Sequence, residues 1–543
     1  MIKSTKKFIA VMTLVVMLLS LSLANVSAAA PTSGSSIVKN AIFLIPDGMS
    51  VNATTIARYL LSGNEGGSEK LFMDQFVTGL VTTTWAKGPI TDSAPAGTAY
   101  ATGHKSLNGV LGIDPDKTPK ATLLEAAQLK GKAVGLIATS EFMHATPAAF
   151  SAHEEKRSNY AVIAEQMLNQ DIDVLLGTGA SKVKPEELNI IETAKAKGYE
   201  IVNNKAEMEK SKAAKLWGNF SNAFNSTDNL SYDIDRKASE EPSLAEMTAK
   251  AIDVLNKDKD GFFLMVEGSK IDWAAHANDT IGIVTDTLAF DEAFKTAVDF
   301  AKKDGNTIVV AVTDHGNSGI SIGSYDLLGY DSAPFSILTP LKGATKTAEG
   351  AMALLKEDKS NVDEVLKAYG INPAGYTPAD ITSKDRDTYN NAKVNRLITI
   401  FKTEPTSSNL IKIMNQKAYI AYTTGGHTGE DVPVYLYTPE KVSKAPLIGV
   451  NENTDVSKFV ASSLGLSLEE VTKKLFVDVT ERKGASISDN VLTLDENGKT
   501  LTIKANQSTA KLDNKTVDLN GEVAVYINGR FYVPQSALDL LKK

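Results

Sequence analysis

Short runs of consecutive apolar residues recur along the chain, separated by longer stretches with helical periodicity. Ala41–Ile45, Ala133–Thr139, Ile172–Leu176, Phe262–Val266 and Ile308–Thr313 are the clearest runs, too short for helices, and Thr78–Thr84 is strand-like through its β-branched residues. Ala121–Leu129, Asn159–Asn169 and Thr285–Lys303 read as helices between them. Strands alternating with helices predict an α/β fold with a largely parallel central sheet flanked by helices. In such sheets, sites gather at the carboxyl ends of strands. Asp47, Glu267 and Asp314 all stand at the ends of strand-like runs.

The pattern divides the chain into a body over residues 36–480 and a tail over 485–543. Within the body, 324–417 is polar and rich in Lys and Asp, with short helical pieces, and reads as an insertion at the active edge of the sheet. The tail changes character: Val491-Leu-Thr-Leu, Thr500-Leu-Thr-Ile, Val523-Ala-Val-Tyr-Ile and Arg530-Phe-Tyr-Val are short strands. Asp495-Glu-Asn-Gly498 and Asn528-Gly529 are turn signals between them. The tail therefore reads as a small β-rich domain. All candidate site residues lie upstream of it, so it is expected to be separable from the chemistry.

Composition narrows the setting. Lys3, Lys6 and Lys7 precede an apolar run from Phe8 to Leu23, followed by Val26-Ser27-Ala28. This is the layout of a secretory signal peptide over residues 1–28, which implies a secreted or cell-surface protein. There is no cysteine, so disulfides, thiolate metal sites and a cysteine nucleophile are all excluded. Hydrophobic residues make up 43% of the chain, enough for a large core. A net charge of −8 with no long basic run gives no reason to expect nucleic acid as a partner.

The chain has six histidines, and three fall in runs that also carry carboxylates or clustered glycines. Asp272 and His276 are four apart and share a helix face, with Glu267 just upstream. Asp314-His315-Gly316 follows a strand, and both side chains can reach one ion only where that strand has ended. His427 is framed by Gly425, Gly426 and Gly429. Singly, each run is also compatible with an ordinary polar pair or a surface loop. Imidazoles with carboxylates suit zinc, and carboxylates with a hydroxyl suit magnesium. Ser93-Ala-Pro95 reads as a helix start with Gly103 at the stop, so Ser93 is either a capping residue or a nucleophile placed where a helix N-terminus favours anions. No G-x-S-x-G elbow surrounds it, which leaves metal as the route to activation. His144-Ala-Thr146-Pro147 begins another helix, with Thr146 as a candidate cap, and Arg157 suits bidentate phosphate binding.

These motifs together resemble the alkaline phosphatase family. The resemblance rests on Pro46-Asp47-Gly48-Met49, Asp92-Ser93-Ala94, His144-x-Thr146-Pro147-Ala148, Arg157, Val266-Glu267-Gly268, Asp272-x-x-x-His276, Thr313-Asp314-His315 and Gly426-His427-Thr428, in order, over roughly residues 38–480. It implies two zinc ions and one magnesium ion. One zinc would be held by Asp272, His276 and His427. The second would be held by Asp47, Asp314 and His315, with Ser93 on its substrate side. Magnesium would take Asp47, Thr146 and Glu267, with His144 beside it. Arg157 would clamp the phosphate, and Asp92 would position that arginine. The best-known bacterial pattern has Asp and Lys where this chain has His144 and Trp273, while other members carry His at the first position. The identity of the third metal is therefore left open.

The implied activity is metal-dependent hydrolysis of small phosphate monoesters through a phosphoserine intermediate. The alternatives are a phosphodiesterase of the same superfamily and a non-catalytic cell-wall binding protein. The tail resembles the copper amine oxidase N-terminal-like domain, although it contains no His, Cys or Met to bind copper. Contact with the cell wall or surface through the tail, and a homodimer, are left open.

Overall fold

The computed structural model describes residues 37–542, apart from 63–68, 223–225, 227, 356–359 and 374–381. The leader read as a signal peptide lies outside the described residues. Among the described residues, no helix is long and apolar enough to cross a membrane.

Ten strands build the central sheet: Asn40–Ile45 (β1), Val77–Thr82 (β2), Ala133–Glu141 (β3), Val174–Thr178 (β4), Glu200–Val202 (β5), Leu216–Asn219 (β6), Phe262–Glu267 (β7), Thr307–Val312 (β8), Val432–Tyr437 (β9) and Gly449–Glu452 (β10). Their order is β10-β2-β9-β8-β1-β7-β3-β4-β6-β5. All neighbours run parallel except β9, which lies antiparallel between β8 and β2. The expected largely parallel sheet flanked by helices is what the chain forms.

The central strands are apolar without a break because both faces are covered. Side chains alternate across a strand, and two separate cores result. Ile42, Leu44, Leu264, Val266, Val309 and Ala311 pack into one core. Their neighbours Ala41, Phe43, Phe263, Met265, Val310 and Val312 pack into the other. The helix Thr280–Asp304 lies on the first face, and Ser93–Thr102 and Leu123–Leu129 lie on the second.

Four of the sheet strands are not evident in the sequence pattern. The most central is β9, whose run contains Pro433. Proline has no N–H for a ladder. Pro433 sits opposite Leu80 of β2, and pairing with β8 begins only at Val434, so the missing donor falls where one neighbour is absent.

The region 324–417 is largely helical. It includes Arg386–Thr403, an 18-residue helix, and Ser407–Lys417. Leu366, Phe401, Ile413 and Met414 are buried and join the first core. Its polar composition reflects helices wetted on one side, not a lack of core.

From Val477 onward the chain forms a five-stranded and a three-stranded antiparallel sheet. Asn497-Gly498 and Asn528-Gly529 all have positive φ, as tight hairpin turns require. Leu492, Leu494, Leu501, Ile503 and Phe531 form a small core of their own.

Candidate metal centre

Three adjacent strands, β8, β1 and β7, end together. Ile45 lies opposite Glu267 in the β1–β7 register. Asp47, Glu267 and Asp314 therefore leave the sheet at one edge, with neighbouring strands spaced about 4.8 Å apart. Gly48 turns the chain there with φ +66, and a Cβ on it would lie 2.9 Å from the Asp272 backbone. Only glycine lets the β1 loop pass that close to the next ligand-bearing segment.

Among the described residues, three clusters of potential metal ligands form at this edge: Asp47 with Asp314 and His315, Asp272 with His315 and His427, and Asp47 with His144 and Glu267. His315 Nε2 lies 3.2 Å from Asp314 Oδ2 and 3.6 Å from Asp47 Oδ1. His276 Nε2 lies 3.3 Å from Asp272 Oδ2 and 3.1 Å from His427 Nε2, so His276 joins the second cluster. Thr146 Oγ1 is 3.5 Å from Asp47 Oδ2, at the third. Asp47 stands in both the first and the third.

The imidazoles are oriented through their second nitrogens. His276 Nδ1 faces the Gly425 carbonyl at 2.8 Å, and His427 Nδ1 faces the Thr91 carbonyl at 2.8 Å. That arrangement fixes Nε2 as the free ligand atom on each ring. Asn317 Nδ2 donates to Asp272 Oδ1 at 2.6 Å. Glu430 Oε1 accepts from Ser50 and Thr428, tying the His427 loop to the start of the helix Val51–Ser62. Neither Asn317 nor Glu430 stands out as a site residue in the sequence. Asn317 holds Asp272, 45 residues away, and Glu430 holds Ser50, 380 residues away, so only the fold reveals these contacts.

Ser93 is the first residue of the helix Ser93–Thr102, and Asp92 is its N-cap. The capping alternative for Ser93 is thus removed. Its Oγ lies 3.2 Å from His315 Nε2. Thr146 is not a cap either: His144 precedes the one-turn helix Ala145–Ala148, and Thr146 lies inside it. The Arg157 guanidinium pairs with the Asp92 carboxylate, and its Nη2 lies 3.0 Å from His144 Nε2. All the residues singled out in the sequence therefore meet at one edge of the sheet.

Lys270 is a buried addition. Its Nζ sits 4.3 Å from the ring centres of both Tyr232 and Trp273, and it is 1% exposed. Trp273 in turn stands edge-on to His144, with centroids 6.0 Å apart. Lys270 is thus a cation stacked on the indole of Trp273.

Without cations this arrangement is electrostatically strained. Burial, and then the charges of Asp314, Asp272 and Glu267, push the Asp47 carboxyl well above its ordinary range. Burial drives Glu267 up to about 8, against the pull of hydrogen bonds from Asp47 and Ser269. Burial, with the Arg157 charge adding to it, lowers His144 to about 3. Burial also acts on Asp272, but the hydrogen bond from His276 and the nearby imidazole charges more than offset it and hold this carboxyl low. Asp47 Oδ1, Glu267 Oε1, Asp314 Oδ2 and His144 Nδ1 are buried and make no hydrogen bond. Buried anionic oxygens without partners are costly unless a cation serves them. The donor set of carboxylate oxygens, imidazole nitrogens and hydroxyls fits zinc and magnesium.

Residues 38–466 match the family model described as alkaline phosphatase. The chain belongs to the alkaline phosphatase family. Alkaline phosphatase 3 of Bacillus subtilis (strain 168) is 40% identical over 443 residues, covering 80% of this chain and 90% of that relative. The repressible alkaline phosphatase of Saccharomyces cerevisiae is 32% identical, covering 84% and 86%. Among solved structures, the cold-active alkaline phosphatase of Shewanella sp. aligns with a TM-score of 0.67 at 28% identity, covering 78% of this chain and 99% of that one. The Thermus thermophilus enzyme aligns at 0.65 with 26% identity, covering 83% and 98%. Family membership makes the chain a metal-binding phosphatase, and the matched region spans all the ligand clusters described above.

Proposed function

We propose that this alkaline phosphatase is a secreted phosphomonoesterase that works through a phosphoserine at Ser93. The observation that carries the reading is the convergence of Ser93 Oγ, three ligand clusters and the Arg157 guanidinium at one sheet edge. The leader pattern before Ala28 supports export. Two zinc ions fit the nitrogen-bearing clusters, Asp272-His276-His427 and Asp47-Asp314-His315. Magnesium fits the oxygen-rich set of Asp47, Thr146 and Glu267, with His144 beside it. When bound, such metals supply positive charge that stabilises attacking and leaving oxygens.

The side chains divide the remaining work. Arg157 holds two phosphate oxygens, and Asp92 orients its guanidinium towards the site. Ser93 Oγ forms a bond to phosphorus as the bond from phosphorus to the substrate alcohol breaks, and the alcohol leaves with a proton. Water then bonds to phosphorus as the bond from phosphorus to Ser93 Oγ breaks, and a proton from that water passes to Ser93 Oγ as phosphate departs. The helix behind Ser93 favours negative charge at its N-terminus throughout. Asp47, Asp314 and His315 are fully buried, whereas the His276 side chain is 41% exposed and that of Arg157 29%. The substrate therefore enters over His276 and Arg157. Assay with a chromogenic phosphomonoester and the matching diester, with and without chelator, tests this. Faster turnover of the diester would assign the chain to the diesterases instead.

Arg157→Ala is expected to raise KM and weaken inhibition by phosphate roughly 10–100-fold, as loss of a charge-assisted bidentate pair does. Arg157→Lys should rescue only partly, since a point charge cannot reproduce the fork. Unchanged phosphate inhibition would transfer the clamp to another residue, with Lys156 first in line.

His144 and Trp273 tune the third site. His144→Asp replaces a neutral nitrogen by an anionic oxygen beside Asp47 and Glu267, and should strengthen the preference of this site for magnesium over zinc. Trp273→Lys places a cation near the phosphate pocket and should tighten phosphate inhibition. Metal content and the phosphate inhibition constant, measured on both single variants and the double, check this. If neither moves, these two residues lie outside the working site.

A further inference from the structure

The segments 108–120 and 153–157 form a layer with the site on one side and the C-terminal sheets on the other. On the site side, the Gly109 N–H donates to Asp92 Oδ2 at 2.7 Å. The Arg157 N–H donates to the Gly109 carbonyl at 2.8 Å, and Leu111 and Glu154 exchange backbone hydrogen bonds at 2.9 and 3.0 Å. Both members of the Asp92–Arg157 pair are therefore hydrogen-bonded to Gly109 of one loop. Among the described residues, no other backbone hydrogen bond of Arg157 ties its position to the sheet.

On the far side, that loop rests on the tail. Ile113 and Ala121 share a buried cluster with Phe476, Val525, Ile527 and Tyr532, distinct from the two large cores and from the tail's own core. The Asn528 N–H donates to Glu155 Oε2 at 3.2 Å, two residues before Arg157. Lys117 Nζ bridges Asn528 Oδ1 at 3.3 Å and Glu155 Oε1 at 3.4 Å. Phe476 also stands against the ring of buried His153, with centroids 4.6 Å apart. A second contact lies elsewhere, where Gln507 donates to Glu165 on the helix Tyr160–Asn169.

We propose that the C-terminal β unit is a positioning element for the phosphate clamp: it braces the 108–120/153–157 loop from behind, so that Arg157 and Asp92 are held in their working geometry before substrate arrives. The inference rests on the reading of Arg157 as the clamp. Its physical basis is preorganisation. A guanidinium on an unsupported loop loses part of its binding energy to ordering, and small misplacements are costly.

The test uses full-length, metal-loaded protein. Glu155→Ala removes the acceptor for Asn528 and Lys117, and Ile527→Ala loosens the shared cluster. Each should raise KM and the phosphate inhibition constant by roughly 3–10-fold, with a smaller change in kcat, as contacting residues in one network do. Glu155→Gln keeps an acceptor for the Asn528 N–H and should restore most of the loss. Gln507→Ala, at the contact away from the loop, should leave the inhibition constant unchanged. Combined with Arg157→Ala, the Glu155 and Ile527 changes should have little further effect, because their route runs through that side chain. Undiminished effects in the Arg157→Ala background, equal effects from Gln507→Ala, or wild-type phosphate inhibition in both Glu155→Ala and Ile527→Ala would overturn the bracing role. Wild-type phosphate inhibition in Arg157→Ala itself would overturn the clamp reading, and the bracing role with it.

Discussion

Stripping the metals with a chelator will abolish turnover and lower Tm in the same titration. The proposed ligands come from Asp47, Asp272, Asp314–His315 and His427, which lie far apart in the chain and meet only in the fold. An unfolded chain cannot offer that constellation, so metal binding free energy becomes folding free energy. For tightly held ions the fall in Tm should be on the order of 10 °C. The metal-free protein should also acquire a pH dependence that the loaded protein lacks. Glu267 is pushed up to about 8 and Asp47 is raised as well, each mainly by burial. Unfolded carboxyls titrate near 4, so these two groups bind more protons in the folded state up to roughly pH 8. His144, lowered to about 3, binds fewer below its ordinary 6.5, so the net excess in the folded state is largest between roughly pH 6.5 and 8. Stability of the metal-free protein therefore falls as pH rises through that window. Calorimetry on stripped and reloaded samples at pH 6.5 and pH 8 reads both effects. Zinc with magnesium should restore activity and Tm together. Full activity in protein shown by elemental analysis to be metal-free would refute the assignment of these residues.

Much of the site was legible because it is built from local signals. Asp47, Glu267 and Asp314 each follow an unbroken apolar run, and the runs became adjacent strands ending at one edge. Ser93–Thr102 was legible from Pro95 and from Gly103, which closes the helix with φ 73. What escaped is carried by contacts with no sequence neighbourhood. Asn317 steadies Asp272, and Lys270 sits under Trp273 at the start of its helix, yet each looks like an ordinary polar residue in its own run. Thr146 resembled a cap because Pro147 follows it, but the N-cap is two residues earlier, at His144. The strand Val432–Tyr437 was masked by Pro433, and Arg386–Thr403 by its polar surface. The tail read correctly as β-rich because its turns are explicit. Its shared cluster with Ile113 and Ala121 could not be read, since pairing across more than 350 residues leaves no periodicity.

Ser93→Ala should cost more than any other single change while leaving the architecture intact. Ser93 is buried, begins its helix, and presents Oγ at 3.2 Å from His315 Nε2. It makes no capping hydrogen bond, and Asp92 keeps the N-cap position in the variant. Alanine is also the better helix former, so local stability should be retained. Metal content and Tm should therefore stay close to wild type, because Asp47, Asp314 and His315 still hold their site. Turnover should fall by roughly three orders of magnitude or more, since losing a nucleophile exceeds the 10²–10³ typical for one oxyanion-stabilising donor. Phosphate should still bind, because Arg157 and its Asp92 partner are untouched. The covalent step gives a direct readout. Wild-type enzyme quenched in acid with labelled substrate should carry phosphate on the peptide containing Ser93, and the variant should carry none. Label on a different residue would move the nucleophile to that residue, and a variant that keeps wild-type turnover with no labelled peptide in the wild type would leave direct attack by water as the route to hydrolysis.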